Sequence, residues 1–328
     1  MKRHISLNSG VMSLAAILAC LGMPGLVQAD MGASTNSCVR TLTADVVAID
    51  MPLMWNRLGA QNINGMMYAL RGDVINLSSG LPLTNGGAAT AGNVALRPDK
   101  RPRPLVLRMG KGDCLDLHLT NLLTSLANPF GPILTRSTIP FRIPLNDAVA
   151  ERRISLRFQG TELRDTINSD GSNVGQNGAA GLIGPGGSIT YKIHASREGA
   201  FVGESLGATT GGEGQGGQTP SGLWAVLNVS ATNSAFYRSQ LTREEMDLAT
   251  NNQCGGATLA ADGHPIMNYE AVYPAVNCNG TTSPWVAEGK AGLPIVNMVQ
   301  GNALVHSDLN AIVAYGPGLT MATAPDGP

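Results

Sequence analysis

Apolar positions along this chain recur with the two-residue period of β-strands, and no sustained helical periodicity or internal repeat is present. Residues 41–49 alternate polar with apolar or β-branched side chains. Residues 105–109, Leu-Val-Leu-Arg-Met, lead through Gly110-Lys111-Gly112-Asp113 into residues 114–121, and this pattern predicts a hairpin. In its second strand Leu115, Leu117 and Leu119 fall on one face, with Cys114, Asp116, His118 and Thr120 on the other, so the leucines are assigned to the core. Further strands are predicted at 154–158, 188–195, 199–203 and 223–229, separated by turns such as Gly184-Pro185-Gly186-Gly187. Short strands at this spacing predict a sandwich. The Gly- and Ala-rich stretch 81–98 reads as a surface loop.

After residue 229 the pattern changes. Thr242-Arg243-Glu244-Glu245 has the form of a capping box opening a short helix, in which the threonine and the second glutamate satisfy each other's backbone N–H groups. Residues 251–283 read as loop, and strand-like runs return at 295–299 and 311–315. The expected organisation is a signal peptide over 1–29, a β-sandwich domain over 30–230, a connecting segment with a short helix over 231–293, and the start of an incomplete further β region over 294–328.

Composition narrows the function classes. With 328 residues, 43% of them apolar, the chain is long enough for one large or two modest cores. Charged residues are only 14% and the formal net charge is -1, so there is no basic field to hold nucleic acid. Lys2 and Arg3, an apolar run over 11–23 and Val27-Gln28-Ala29 before Asp30 have the form of an export signal. Ile17-Leu18-Ala19-Cys20 is a looser match to a lipoprotein site, and the apolar run is too short to span a bilayer comfortably. The expected location is therefore outside the cytoplasm, in the periplasm, at the outer surface or extracellular, with no transmembrane span after cleavage. Cys38, Cys114, Cys254 and Cys278 then suggest two disulfides among three possible connectivities. Cys38 with Cys114, and Cys254 with Cys278, is the pairing we expect; the second would close a loop worth roughly 3 kcal/mol in the chain-entropy account.

Three stretches carry a resemblance. Residues 104–121, a strand, a Lys-Gly-Asp turn and a strand ending in Thr120-Asn121, resemble the opening of the first cupredoxin domain of multicopper oxidases. Gly184-Pro185-Gly186-Gly187-Ser188-Ile189-Thr190-Tyr191 is similar to that family's Pro-Gly-Gly-Ser-Phe-Thr-Tyr segment, and residues 222–229, Gly-Leu-Trp-Ala-Val-Leu-Asn-Val, to its Gly-Leu-Tyr-Gly-Ala-Leu-Ile-Val strand. Order and spacing agree over about 104–229. The opening from Cys38 and the run Val305-His306-Ser307-Asp308-Leu309-Asn310 resemble, on softer motifs, the large bacterial members linked to manganese oxidation. The resemblance implies an all-β, Greek-key cupredoxin-like sandwich.

The copper motifs of that family depart here. Where its His-Trp-His-Gly strand would lie stands Arg157-Phe158-Gln159-Gly160, and where its Tyr-Trp-Tyr-His-Ser-His segment would lie, Glu204 and Leu206 occupy the histidine positions. A guanidinium has no lone pair to give a metal, and an amide is a poor substitute for imidazole. No other set replaces them: Cys114 and His118 are ~13 Å apart along a strand, and His118 and His194 on polar strand faces are expected to be solvated. His264 and His306 have no Cys or His at ligand spacing. We therefore assign no catalytic, cofactor-binding or metal-ligating residue, and expect copper only in domains outside this chain or in a partner.

Other constellations are weaker. Residues 207–217 are glycine-rich but lack the Gly-Lys-Ser/Thr ending of a phosphate loop, and read as a surface loop. Glu162, Asp165 and Asp170 surround an Asx-rich turn without Ca²⁺-loop spacing. Arg97, Lys100, Arg101, Arg103 and Arg108 read as a solvated face. With few histidines and none placed near a plausible nucleophile, a Ser-His-Asp reading has no specific support. Two expectations follow. In one, the chain is the copper-free N-terminal part of a multicopper oxidase, packing against further cupredoxin domains or an oxidase subunit that oxidises a metal ion or phenol. In the other, it is a stand-alone exported binding or adhesion module that kept the scaffold and lost the chemistry.

Overall fold

Strand β1 (Thr41–Asp50) organises the larger of two facing sheets in this computed structural model, which describes residues 37–125, 152–164, 166–172, 181–206, 218–252, 254 and 256–314. The signal-peptide expectation and the glycine-rich stretch 207–217 lie outside the described residues. The strands that follow are β2 (Leu53–Met54), β3 (Gln61–Asn62), β4 (Met66–Leu70), β5 (Val74–Asn76), β6 (Val94–Leu96), β7 (Leu105–Gly110) and β8 (Cys114–Asn121). Next come β9 (Arg157–Phe158), β10 (Glu162–Leu163), β11 (Ser188–His194), β12 (Gly199–Glu204), β13 (Trp224–Ser230) and β14 (Ala235–Arg238). The C-terminal part holds helix α1 (Arg243–Thr250), the short pair β15 (Asn251–Asn252) and β16 (Gly256–Ala257), and helix α2 (Pro284–Ala287). It ends in β17 (Val299–Gln300), β18 (Ala303–Leu304) and β19 (Ala311–Ala314).

The larger sheet runs β10-β11-β8-β1-β18-β17, with β4 pairing the second half of β1; the smaller runs β7-β13-β12-β9. Both are mixed. β1 is parallel to β8 and β13 is parallel to β7, while β11 with β8 and β12 with β13 are antiparallel. One core fills the space between them: Leu42, Val46, Leu115, Leu117, Leu119 and Tyr191 from the larger sheet meet Leu105, Leu107, Phe158, Ala225 and Leu227 from the smaller. The three leucines assigned to the core from their alternation are fully buried.

Residues 105–121 do not form the expected hairpin. β7 and β8 belong to opposite sheets, and the turn between them is an arch over the end of the core. The reason lies in the pattern itself: Leu105, Leu107 and Met109 must bury against the same core as Leu115, Leu117 and Leu119, and facing strands satisfy both sets. The arch is held by Asp113, whose buried carboxylate accepts from Gly110 N at 2.7 Å and pairs with Arg40 Nε at 2.8 Å. Residues 81–98 are not simply a surface loop either. They carry β6, which pairs with β5, and bury Leu83 and Val94 in a second cluster with Val47 and Ile49 on the outer face of β1. The predicted strand over 154–158 shortens to β9, with Ile154 bridging to Ile183.

Beyond residue 230 the chain builds a third cluster around Tyr237, Tyr269, Tyr273, Trp285, Ile295 and Val296. The capping box opens α1 as read: Glu245 N donates to Thr242 Oγ1 and Thr242 N to Glu245 Oε2. The tail read as the start of a further β region splits its strands, β18 joining β1 in the larger sheet and β19 pairing with β14. The disulfides are Cys38–Cys114 and Cys254–Cys278, as expected.

Candidate functional site

Strands β9 and β12 lie side by side, with Phe158 opposite Gly203 and Arg157 opposite Glu204. Phe158 is buried in the core, so Arg157, its neighbour on β9, points outward. Gly203 faces inward beneath that ring, where an added Cβ would stand 2.5 Å from Phe158 Cε1; no larger residue fits while the ring stays. Glu204 therefore faces outward across from Arg157, and Ser205 turns inward, fully buried. The two stretches in which the resemblance places copper motifs are thus neighbours, and their outward positions converge.

What converges there is an ion-pair surface. Arg157 pairs with Asp170, whose Oδ1 also accepts from Ser172 N at 3.0 Å and closes the Asx turn. Beneath it, Ser205 Oγ donates to Gln218 Oε1 at 2.6 Å and accepts from Ser155 N at 3.1 Å, while Tyr68 OH donates to Ser155 O. Burial pushes the Tyr68 phenol well above its ordinary range, so it remains a hydrogen-bond donor. A guanidinium fixed beside one carboxylate, an amide, a glutamate and a leucine do not fit a copper cluster, because a permanent positive charge repels the ion and offers it no lone pair.

The histidines stand apart. His118 is exposed with Nδ1 2.7 Å from Thr190 Oγ1, and His264 is exposed. His194, expected to be solvated, is buried instead: β10 adds beside β11 and sets Glu162 Oε2 3.1 Å from its Nδ1. His306 is buried, with Nε2 donating to Pro294 O at 2.6 Å. Among the described residues no three His, Cys, Asp or Glu side chains gather in an arrangement for a metal ion.

The basic cluster read as a solvated face is only partly that. Arg97 and Arg108 are buried, Arg97 against Asp99 and Glu288, and Arg108 with Nη2 donating to Leu309 O at 3.0 Å. Lys100 pairs with Asp73, while Arg101 and Arg103 face a cleft of about 290 Å³ between β4, the start of β7 and the segment around α1. The carboxylate that meets Arg103, Asp308, is about two hundred positions away and no local pattern announces it.

No family model and no curated protein matches this chain. Among solved structures it is similar to the multicopper oxidase mgLAC, with 16% identity and a TM-score of 0.33, covering 59% of this chain and 40% of that one. It is also similar to the blue copper oxidase of Nitrosomonas europaea, with 17% identity and a TM-score of 0.32, covering 63% of this chain and 42% of that one. The copper nitrite reductase of the same organism matches at 14% identity and a TM-score of 0.30, covering 59% and 42%. The chain spans about two-fifths of the length of these structures. No helix among the described residues is long and apolar enough to cross a membrane. The fold class, an all-β sandwich of two mixed sheets, rests on the strand pairing itself.

Proposed function

We propose that this chain is a copper-free, cupredoxin-like N-terminal part of an exported multicopper oxidase system, serving as a scaffold. Oxidation of a metal ion such as manganese, or of a phenol, would then take place on coppers held by further cupredoxin domains or an oxidase subunit. The observation that carries this reading is the register of β9 against β12. It sets Arg157 opposite Glu204, the positions to which the sequence resemblance assigns copper ligands, and an Arg157–Asp170 ion pair stands beside them. An exposed apolar hairpin supports the role of a partner-binding scaffold: Met54, Trp55, Leu58 and Ile63, around β2 and β3, are 61% to 94% exposed. Such a patch is unusual on a free-standing soluble protein.

The test is genetic and biochemical together. The coding sequence downstream is expressed with and without this chain, and copper-dependent oxygen uptake with Mn²⁺ and with a phenol is measured. Copper motifs in that neighbour, capture of it by this chain, and activity that falls when the chain is omitted are the expected results. An unrelated neighbour and a stable monomer that captures nothing would replace this reading with that of a stand-alone binding module.

A further inference from the structure

The hairpin of β2 and β3 forms a sheet of its own. The two strands pair with each other and with no other strand among the described residues, and the turn between them, 55–60, is exposed throughout. Its apolar side chains are turned to solvent: Met54 is 71%, Trp55 61% and Leu58 94% exposed. The turn is closed by its own hydrogen bonds. Trp55 N donates to Ala60 O at 2.7 Å, Gly59 N donates to Asn56 O at 3.4 Å, and Asn56 Oδ1 accepts from Leu58 N at 2.9 Å and from Ala60 N at 3.2 Å. Most backbone donors of the turn are therefore satisfied inside the hairpin, which is what a medium without water requires. The charge is one-sided as well. Residues 51–72 contain no carboxylate, and their charged side chains are Arg57 and Arg71. Arg57, between Trp55 and Leu58, is exposed and makes no ion pair among the described residues.

From this tip we infer that the hairpin inserts shallowly into an anionic phospholipid bilayer and holds the chain at its surface. An apolar tip exposed to water costs free energy, which is recovered where the side chains enter the boundary between headgroups and acyl chains. Tryptophan suits that depth, because its ring is apolar while its N–H stays at the wet edge. Arg57 would lie at the level of the headgroup phosphates, to which a guanidinium can donate two hydrogen bonds at once. An anionic surface meets no opposing carboxylate along this stretch; the one just before it, Asp50, is already held by Arg152 and by Thr124 N. The inference deepens the scaffold reading: it rests on that reading only in treating the hairpin as a contact surface, and it names a lipid surface as what the hairpin meets.

Co-sedimentation of the purified chain with vesicles tests it, using phosphatidylcholine mixed with phosphatidylglycerol and phosphatidylcholine alone. The chain is expected to bind the mixed vesicles more tightly, with a preference that shrinks as salt is raised. Leu58→Gln should weaken binding at least about tenfold, the loss of one apolar side chain from the acyl boundary. Arg57→Gln should remove most of the preference for the anionic vesicles. Both residues are exposed, so both variants should keep the melting temperature of the free protein and separate a lost contact from a lost fold. Lipid brominated near the headgroup should quench part of the tryptophan emission, and Trp55→Phe should remove that part. No sedimentation with either vesicle overturns the inference, as do binding that Leu58→Gln leaves unchanged and quenching that survives Trp55→Phe. A hairpin that captures a protein without lipid and leaves vesicles unbound assigns the tip to that protein instead. The scaffold reading fails separately: vesicle binding by a chain that captures no oxidase would sink it and leave this inference standing.

Discussion

His306 is buried with Nε2 donating to the Pro294 carbonyl, and burial, reinforced by the nearby Arg238 charge, pushes its pKa down from 6.5 to about 3. The imidazole is therefore neutral in the folded protein, whereas in the unfolded chain it takes up a proton below about 6.5. Glu245 lies in the same region. Burial alone would raise its pKa, but Arg238, the Tyr273 hydroxyl and the Thr242 N–H outweigh that and hold it at about 2, against an ordinary 4.5. Its stabilising contribution is complete above 4.5 and is lost as the pH falls toward 2. The two effects share a sign: stability should decline from pH 6.5 downward through His306 and more steeply below 4.5 as Glu245 joins. Urea denaturation across that range should show the decline, and His306→Gln, which keeps a donor for Pro294 O, should flatten it between pH 6.5 and 4.5. A variant with the wild-type slope in that window would remove His306 from the account.

At the scale of elements, the β9–β12 pair depends on a glycine. An added methyl at Gly203 meets the Phe158 ring at 2.5 Å, so Gly203→Ala should cost about 1–3 kcal/mol by overpacking. Combining it with Phe158→Leu should cost less than the sum of the two single changes, because the smaller side chain vacates the space the methyl needs. Additive costs in a denaturation cycle would mean that the contact does not set the pairing. Much of this element structure was legible in the sequence. The alternation of Leu115, Leu117 and Leu119 named the core face, and the Thr242 and Glu245 spacing named a helix start that the structure reproduces bond for bond. The arch between β7 and β8 was not legible, because a turn of Gly110-Lys111-Gly112-Asp113 between two-faced strands suits a hairpin equally well; only the shared core separates the cases. The unsuitability of Arg157 and Glu204 for the copper-ligand positions the resemblance gives them could be read from residue type, whereas their pairing across strands and the Asp170 partner required the fold. The cleft was missed, since Asp308 reaches Arg103 only through long-range packing.

For the whole molecule, the two disulfides join segments at very different separations, 76 residues for Cys38–Cys114 and 24 for Cys254–Cys278. The first ties the chain just before β1 to the start of its sheet partner β8; the second closes a loop after α1. In the chain-entropy account, removing the first bridge by a double Cys→Ala change should destabilise the protein by about 1 kcal/mol more than removing the second. Chemical denaturation of the two double variants compares them directly, and an equal or reversed order would mean that native packing, not loop closure, governs their contribution. The central proposal is that the Arg157 and Glu204 face of this sandwich holds no copper. Metal analysis of the purified chain, after incubation with Cu²⁺ and with Cu⁺ under anaerobic conditions and removal of excess metal, tests it most directly. The account predicts no retained copper and no oxygen uptake with a phenol or Mn²⁺, and stoichiometric copper held by the isolated chain with turnover of either reductant would contradict it.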